Sequence, residues 1–107
     1  MRLDYPNQRL DMDTTGVANS YEPQITCSGN NVYVAWEDWR NGYGDIYFNY
    51  STNGGATWLD TDMRLDTDTA GAHGSSKPVV TCSGNNVYVT WQDVRNGYAD
   101  IFFNSVK

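Results

Sequence analysis

The sequence predicts an all-β fold: a β-propeller fragment with two four-stranded blades per chain. Three observations lead there. First, the chain repeats itself, because aligning residues 9–52 with 64–107 gives 44 pairs of which 27 are identical, at a displacement of 55 residues. Second, the runs Val32-Tyr33-Val34-Ala35-Trp36 and Ile46-Tyr47-Phe48-Asn49-Tyr50 are β-branched and aromatic with a period of two, which suits strands and no helix. Third, Asn-Gly turns separate the runs. A long repeat made only of strands and turns matches propeller blades, each of which needs neighbours to bury its faces.

The elements follow in order. Residues 7–13 are predicted as an outer strand, since Arg9-Leu10-Asp11 recurs as Arg64-Leu65-Asp66. Residues 14–22 are small and polar and read as a connection. The first blade, residues 23–68, supplies strands at 24–27, 32–36, 45–50 and around 63–66. Between them lie the turns Ser28-Gly29-Asn30-Asn31, Arg40-Asn41-Gly42-Tyr43 and Thr52-Asn53-Gly54-Gly55, where Gly and Asn accept backbone conformations other residues resist. The second blade, residues 78–107, stops after its third strand. Residues 7–13 are a spare copy of the strand it lacks.

Arithmetic sharpens this offset. Lys107 is equivalent to Thr52 and Met1 to Ala56, so joining tail to head omits three turn residues, and 107 plus 3 is twice 55. One chain reads as two repeats cut open in a surface turn. Both faces of the second and third strands carry large apolar groups, and two blades alone leave half of them in water. The expectation is cyclic homo-oligomerisation with inter-chain strand exchange, three chains closing a six-bladed ring, with four or eight blades as the alternatives. Residues 9–11 folded back inside their own subunit would count against it.

Composition narrows the partners. The net charge is −6, and only seven Lys and Arg are scattered through the chain, so no basic run exists to meet a nucleic acid or an anionic membrane. No apolar run approaches the ~20 residues of a membrane span, and Met1-Arg2-Leu3-Asp4 has no signal-peptide pattern. Cys27 and Cys82 sit at equivalent places and read as free thiols used as small buried hydrophobes, the alternative being a bridge between neighbouring sheets. No Cys/His cluster supports zinc, and no cofactor is implied. Asp11-x-Asp13-x-x-Gly16 and Asp66-x-Asp68-x-x-Gly71 resemble the start of a calcium loop without its later carboxylate, so turn chemistry is the expected account and no metal site is predicted.

One stretch carries a family resemblance. Ser51-Thr52-Asn53-Gly54-Gly55-Ala56-Thr57-Trp58 resembles the Asp-box (BNR repeat) of sialidase-like propellers, with Asn53 in place of the usual Asp. The turn needs a short Asx side chain to bond its backbone, Gly55 for a positive φ, and Trp58 to pack beneath it. The resemblance extends through the W-x-D-x-R-N-G-x-x-D-I-[YF]-F strands of both repeats. It implies a structural role for Ser51, Asn53, Gly55, Thr57 and Trp58, and an extracellular or cell-surface setting. It does not carry over sialidase catalysis: the Arg-Ile-Pro opening is missing, and Arg40 and Arg95 match a carboxylate clamp by type alone.

The opposite rim is where a ligand site is expected. It carries the connections 11–22 and 66–77 and gathers Asp38, Trp39, Arg40, Tyr43 and Asp45 with their counterparts Asp93, Val94, Arg95, Tyr98 and Asp100, together with His73, which reads as a loop residue. Aromatic planes beside Asp and Arg suit carbohydrate, whose apolar ring faces stack while its hydroxyls bond charged groups. The competing account makes the charges salt bridges bracing the turn and the tyrosines packing groups beneath it. Trp39, replaced by Val94 in the second copy, is the better functional candidate. The sequence reading is thus a lectin-like carbohydrate-binding module with Asp38, Trp39, Arg40, Tyr43, Asp93, Arg95 and Tyr98 as binding residues and no catalytic residue. The alternatives are a sialidase-like glycoside hydrolase, weakened by the change of Glu37 to Gln92, and a non-catalytic structural propeller fragment.

Overall fold

The computed structural model describes residues 7–106, which form seven strands and no helix. Strands β1 (Ser20–Ser28), β2 (Asn31–Asp38), β3 (Asp45–Ser51) and β4 (Met63–Arg64) make one antiparallel sheet in that order, and β5 (Ser75–Ser83), β6 (Asn86–Asp93) and β7 (Asp100–Val106) make a second. The first three strands of each copy are longer than the apolar runs suggested, because polar residues at their ends still find ladder partners. β4 is shorter, two residues against Tyr47 and Phe48. Tight turns set the registers: Gly29 and Gly84, both at φ +58, open two-residue hairpins, the place where a mirror-image turn requires glycine.

Near the start of β1 and β5 the ladder is interrupted, between Tyr21 and Gln24 and between Ser76 and Val79. Pro23 and Pro78 lie in the gaps and have no N–H to donate, so an edge strand with a bulge is the place for them. The residues before them, Glu22 (φ 52) and Lys77 (φ 54), adopt the left-handed region that side chains resist.

The two sheets stack face to face. Tyr33, Ala35, Ile46 and Phe48 of the first meet Val80, Val87, Val89 and Trp91 of the second, with Leu65 from the connection between them. Ile46 and Phe48 are wholly buried, each contributing about 1.5–3 kcal/mol by removal from water. Their repeat counterparts Ile101 and Phe103 are 76% and 59% exposed.

The outer face of the first sheet carries Val34, Trp36 and Tyr47, capped by Leu10 and Trp58. The outer strand predicted at 7–13 carries no ladder among the described residues. Residues around Leu10 fold back onto their own subunit, with Leu10 packed on the first sheet and the Met12 amide donating to Asp62 at 2.9 Å, and this counts against strand exchange. Asn49 Nδ2 donates to the Leu10 carbonyl at 3.2 Å, and one repeat later Asn104 Nδ2 donates to the Leu65 carbonyl at 3.1 Å. Leu10 therefore lies on the first sheet as Leu65 lies on the second, a side-on contact distinct from the ladder that β4 makes with β3. β7 has no fourth strand beside it.

Candidate functional site

The turn over residues 51–58 closes on itself. Ser51 Oγ donates to Asn53 Oδ1 at 2.8 Å and accepts from the Gly55 amide at 2.9 Å. Asn53 Oδ1 also accepts from the Thr57 amide at 2.9 Å, its Nδ2 donates to Thr57 Oγ1 at 2.8 Å, and Trp58 Nε1 donates to the Gly55 carbonyl at 3.2 Å. Gly55 stands at φ +95. Asn53 uses both halves of its amide; with a carboxylate there, the Thr57 hydroxyl would donate instead of accept.

At the other rim, each W-x-D-x-R sequence builds one unit. Trp36 and Asp38 lie two apart on β2 and share a face, so Trp36 Nε1 donates to Asp38 Oδ2 at 2.9 Å. The chain then turns, and Arg40 comes back over the Tyr47 ring, 3.9 Å from its centre. Its amide and Nε both donate to Asp38 Oδ1 at 3.0 Å, Nη2 donates to Asp38 Oδ2 at 2.7 Å, and Nη1 and Nη2 fork onto Asp62 at 3.1 and 2.6 Å. The second copy repeats the arrangement: Trp91, the Arg95 amide and the Arg95 guanidinium all donate to Asp93, and Arg95 lies 4.0 Å over Phe102.

These contacts set the charges. Burial pushes Asp38 and Asp93 up, but bonds from Arg40 and Trp36, and from Arg95 and Trp91, outweigh it and hold both carboxyls below the usual range. Burial works against the Arg40 cation, while its bonds to Asp38 and Asp62 raise it further. Asp38, Arg40, Asp93 and Arg95 are brought together as internal ion pairs, with the aspartates fully buried and the arginines 17% and 21% exposed at the side chain. Asp62 completes the first pair and was not singled out in the sequence. Its counterpart 55 residues earlier is Asn7, so the repeat gave no charge to follow.

The aromatic groups behave differently. Trp39 and Tyr43 are 40% and 55% exposed and face each other at 6.5 Å with a 46° tilt. Trp39 Nε1 donates to Glu37 Oε2 at 2.6 Å, which fixes the indole. The second copy has Val94, Gln92 and an 88% exposed Tyr98 instead, so the aromatic pair occurs once per chain. Neither Tyr43 nor Tyr98 packs beneath its turn. His73 is exposed.

Beneath the same rim three acidic groups converge. Asp45, Asp66 and Asp68 each bring a carboxylate oxygen within 4.8 Å of the others, and Arg64 Nη1 stands 3.4 to 3.9 Å from all three. Burial and the adjoining Asp45 carboxyl push Asp66 up to about 7. Sequence reading put Asp45 and the 66–77 connection on one rim but took Asp66 and Asp68 as turn residues; the β3–β4 ladder, which sets Arg64 against Tyr47, brings Asp66 opposite Asp45.

Both cysteines are free, and Cys27 is exposed, correcting the expectation of two buried thiols. Cys82 Sγ lies 3.4 Å from the Cys27 carbonyl.

No family model matches the chain, and neither a curated protein nor a solved structure matches it.

Proposed function

We propose that the chain is a two-blade propeller unit that assembles with further copies of itself and binds carbohydrate at the rim carrying Trp39. The observation that carries the binding half is the exposed Trp39–Tyr43 pair, its indole anchored by Glu37. Two fixed aromatic planes on a surface offer the apolar faces on which a sugar ring stacks, at little cost in side-chain freedom. Asp38, Arg40, Asp93 and Arg95 then act as the frame under this platform, since their polar atoms already serve one another.

Assembly is supported by repeat equivalence. A groove of about 230 Å³ on the first sheet is lined by Leu10, Val34 and Trp36 among others. Their counterparts Leu65, Val89 and Trp91 lie in the cluster that receives Ile46. The exposed Ile101 and Phe103 of another copy are the matching occupants, and residues 7–13 supply an edge for its β7. Three copies closing six blades is the preferred ring, because such head-to-tail contacts must close to avoid open filaments.

A glycan array probed with the full chain tests the binding half. Wild type is expected to retain a defined set of sugars, and Trp39→Ala to lose them while keeping its unfolding midpoint. No retention by either protein favours a second reading, an assembly module without a ligand, which the self-contained Asp–Arg pairs support.

A further inference from the structure

We propose that Asp45, Asp66 and Asp68 form a binding site for a hard divalent cation, calcium in class, at the junction of the two sheets. The cluster is built as a site and not merely acidic. Asp45 is fully buried, yet its Oδ1 has no hydrogen-bond partner, and both carboxylate oxygens of Asp68 are buried without one. These orphaned oxygens belong to the same group of carboxylates that converge within 4.8 Å. Leaving buried acceptors unbonded is costly, and so many at one point indicate a missing positive centre.

Their surroundings orient them toward it. Asp45 Oδ2 accepts from Asn41 Nδ2 at 2.9 Å and from the Gly71 amide at 3.1 Å, which leaves Oδ1 for the cluster. Asp66 accepts from the Ile46 amide at 3.1 Å and from Ser75 Oγ at 2.9 Å. Outer partners of this kind fix the ligand oxygens before an ion arrives. Arg64 does not fill the role. Its Nη1 sits 3.4 to 3.9 Å from the three aspartates and makes no hydrogen bond to any of them, while Nη2 is held on the Asp68 carbonyl at 2.6 Å. A second guanidinium, that of Arg95, stands 3.8 Å from Asp68 but is committed to Asp93 at 2.8 Å, so three carboxylates against the loosely placed Arg64 leave negative charge that a divalent ion offsets. The all-oxygen donor set selects calcium over zinc or copper.

The repeat extends the inference, and this extension rests on the assembly proposed above. Asp11 and Asp13 are the counterparts of Asp66 and Asp68, and Arg9 holds the Asp13 carbonyl at 2.6 Å as Arg64 holds that of Asp68. The counterpart of Asp45 is the exposed Asp100. Asp100 of a second copy, placed by pairing of residues 7–13 with that copy's β7, would complete a second site from Asp11 and Asp13, so calcium would tie copies together.

The test is calorimetric titration of the chelator-treated full chain with calcium chloride, alongside light scattering and thermal unfolding. A dissociation constant of about 10⁻⁵ to 10⁻³ M and a raised unfolding midpoint are expected, with magnesium binding more weakly. One ion per monomeric chain supports the site while counting against assembly; two ions per chain in an assembled species support both. Asp68→Asn should weaken binding by about tenfold or more. If that variant does not fold, Arg64→Ala serves: its midpoint should fall in chelator and recover in calcium. No heat and no midpoint shift for wild type up to about 10 mM calcium overturns the site, as does a folded Asp68→Asn that binds at wild-type strength.

Discussion

Ile46 and Ile101 hold the same position in two copies of one sheet, yet Ile46 is wholly buried and Ile101 is 76% exposed. The difference lies in their neighbours: the face of Ile46 meets a second sheet, and the face of Ile101 meets water. An exposed apolar face of this kind marks an interaction surface.

Ile101→Arg is therefore expected to change association and little else. Wild type should scatter light as a multiple of the chain mass, three chains for six blades, and the variant as one chain. The variant's own sheets should keep their far-ultraviolet spectrum, because no contact within the chain is removed. A monomeric wild type at high concentration would defeat the assembly.

Arg40→Ala should be severely destabilising. It strands the buried carboxylates of Asp38 and Asp62, which lose their charged partner together. Removal of one member of a buried pair costs about 3–5 kcal/mol. Urea unfolding measures it, and a loss below about 1 kcal/mol would place the pair with ordinary surface bridges.

Asn53→Ala removes the amide that accepts from Thr57 N and donates to Thr57 Oγ1. About 1–2 kcal/mol should be lost. Asn53→Asp should keep the acceptor, and the Thr57 hydroxyl can donate to the second carboxylate oxygen in its turn, so its midpoint should stay near wild type and above Asn53→Ala. Thermal scans of the three proteins order them.

Acid should unfold the chain through Asp38 and Asp93. Their folded pKa values are depressed, so the stability they contribute is complete above the ordinary carboxylate value near 4. It is lost as pH falls toward the folded values. Unfolding midpoints measured from pH 7 to 2 should decline below about pH 4, and Asp93→Asn should flatten that decline while lowering the plateau.

Much of the fold was legible because it is written twice. A displacement of 55 residues and alternation in residues 32–36 and 46–50 located the strands, and glycines located the turns. What could not be read was the use of charge. Asp38 and Arg40 look alike in sequence whether they meet a ligand or each other, and only burial of Asp38 decides that they meet each other. Asp45 and Asp66 stand 21 residues apart in the chain, and their meeting is a product of the pairing of β3 with β4. Trp39 stood out because its copy is Val94, and the structure adds its exposure and its Glu37 anchor.

Glu22 and Lys77 share a left-handed backbone and a following proline, but one is an acid and the other a base. Side-chain chemistry differs at this position between the two halves, while the kink does not. What the halves hold in common there is thus a shape of the main chain, present although an L-residue there costs roughly 1–2 kcal/mol.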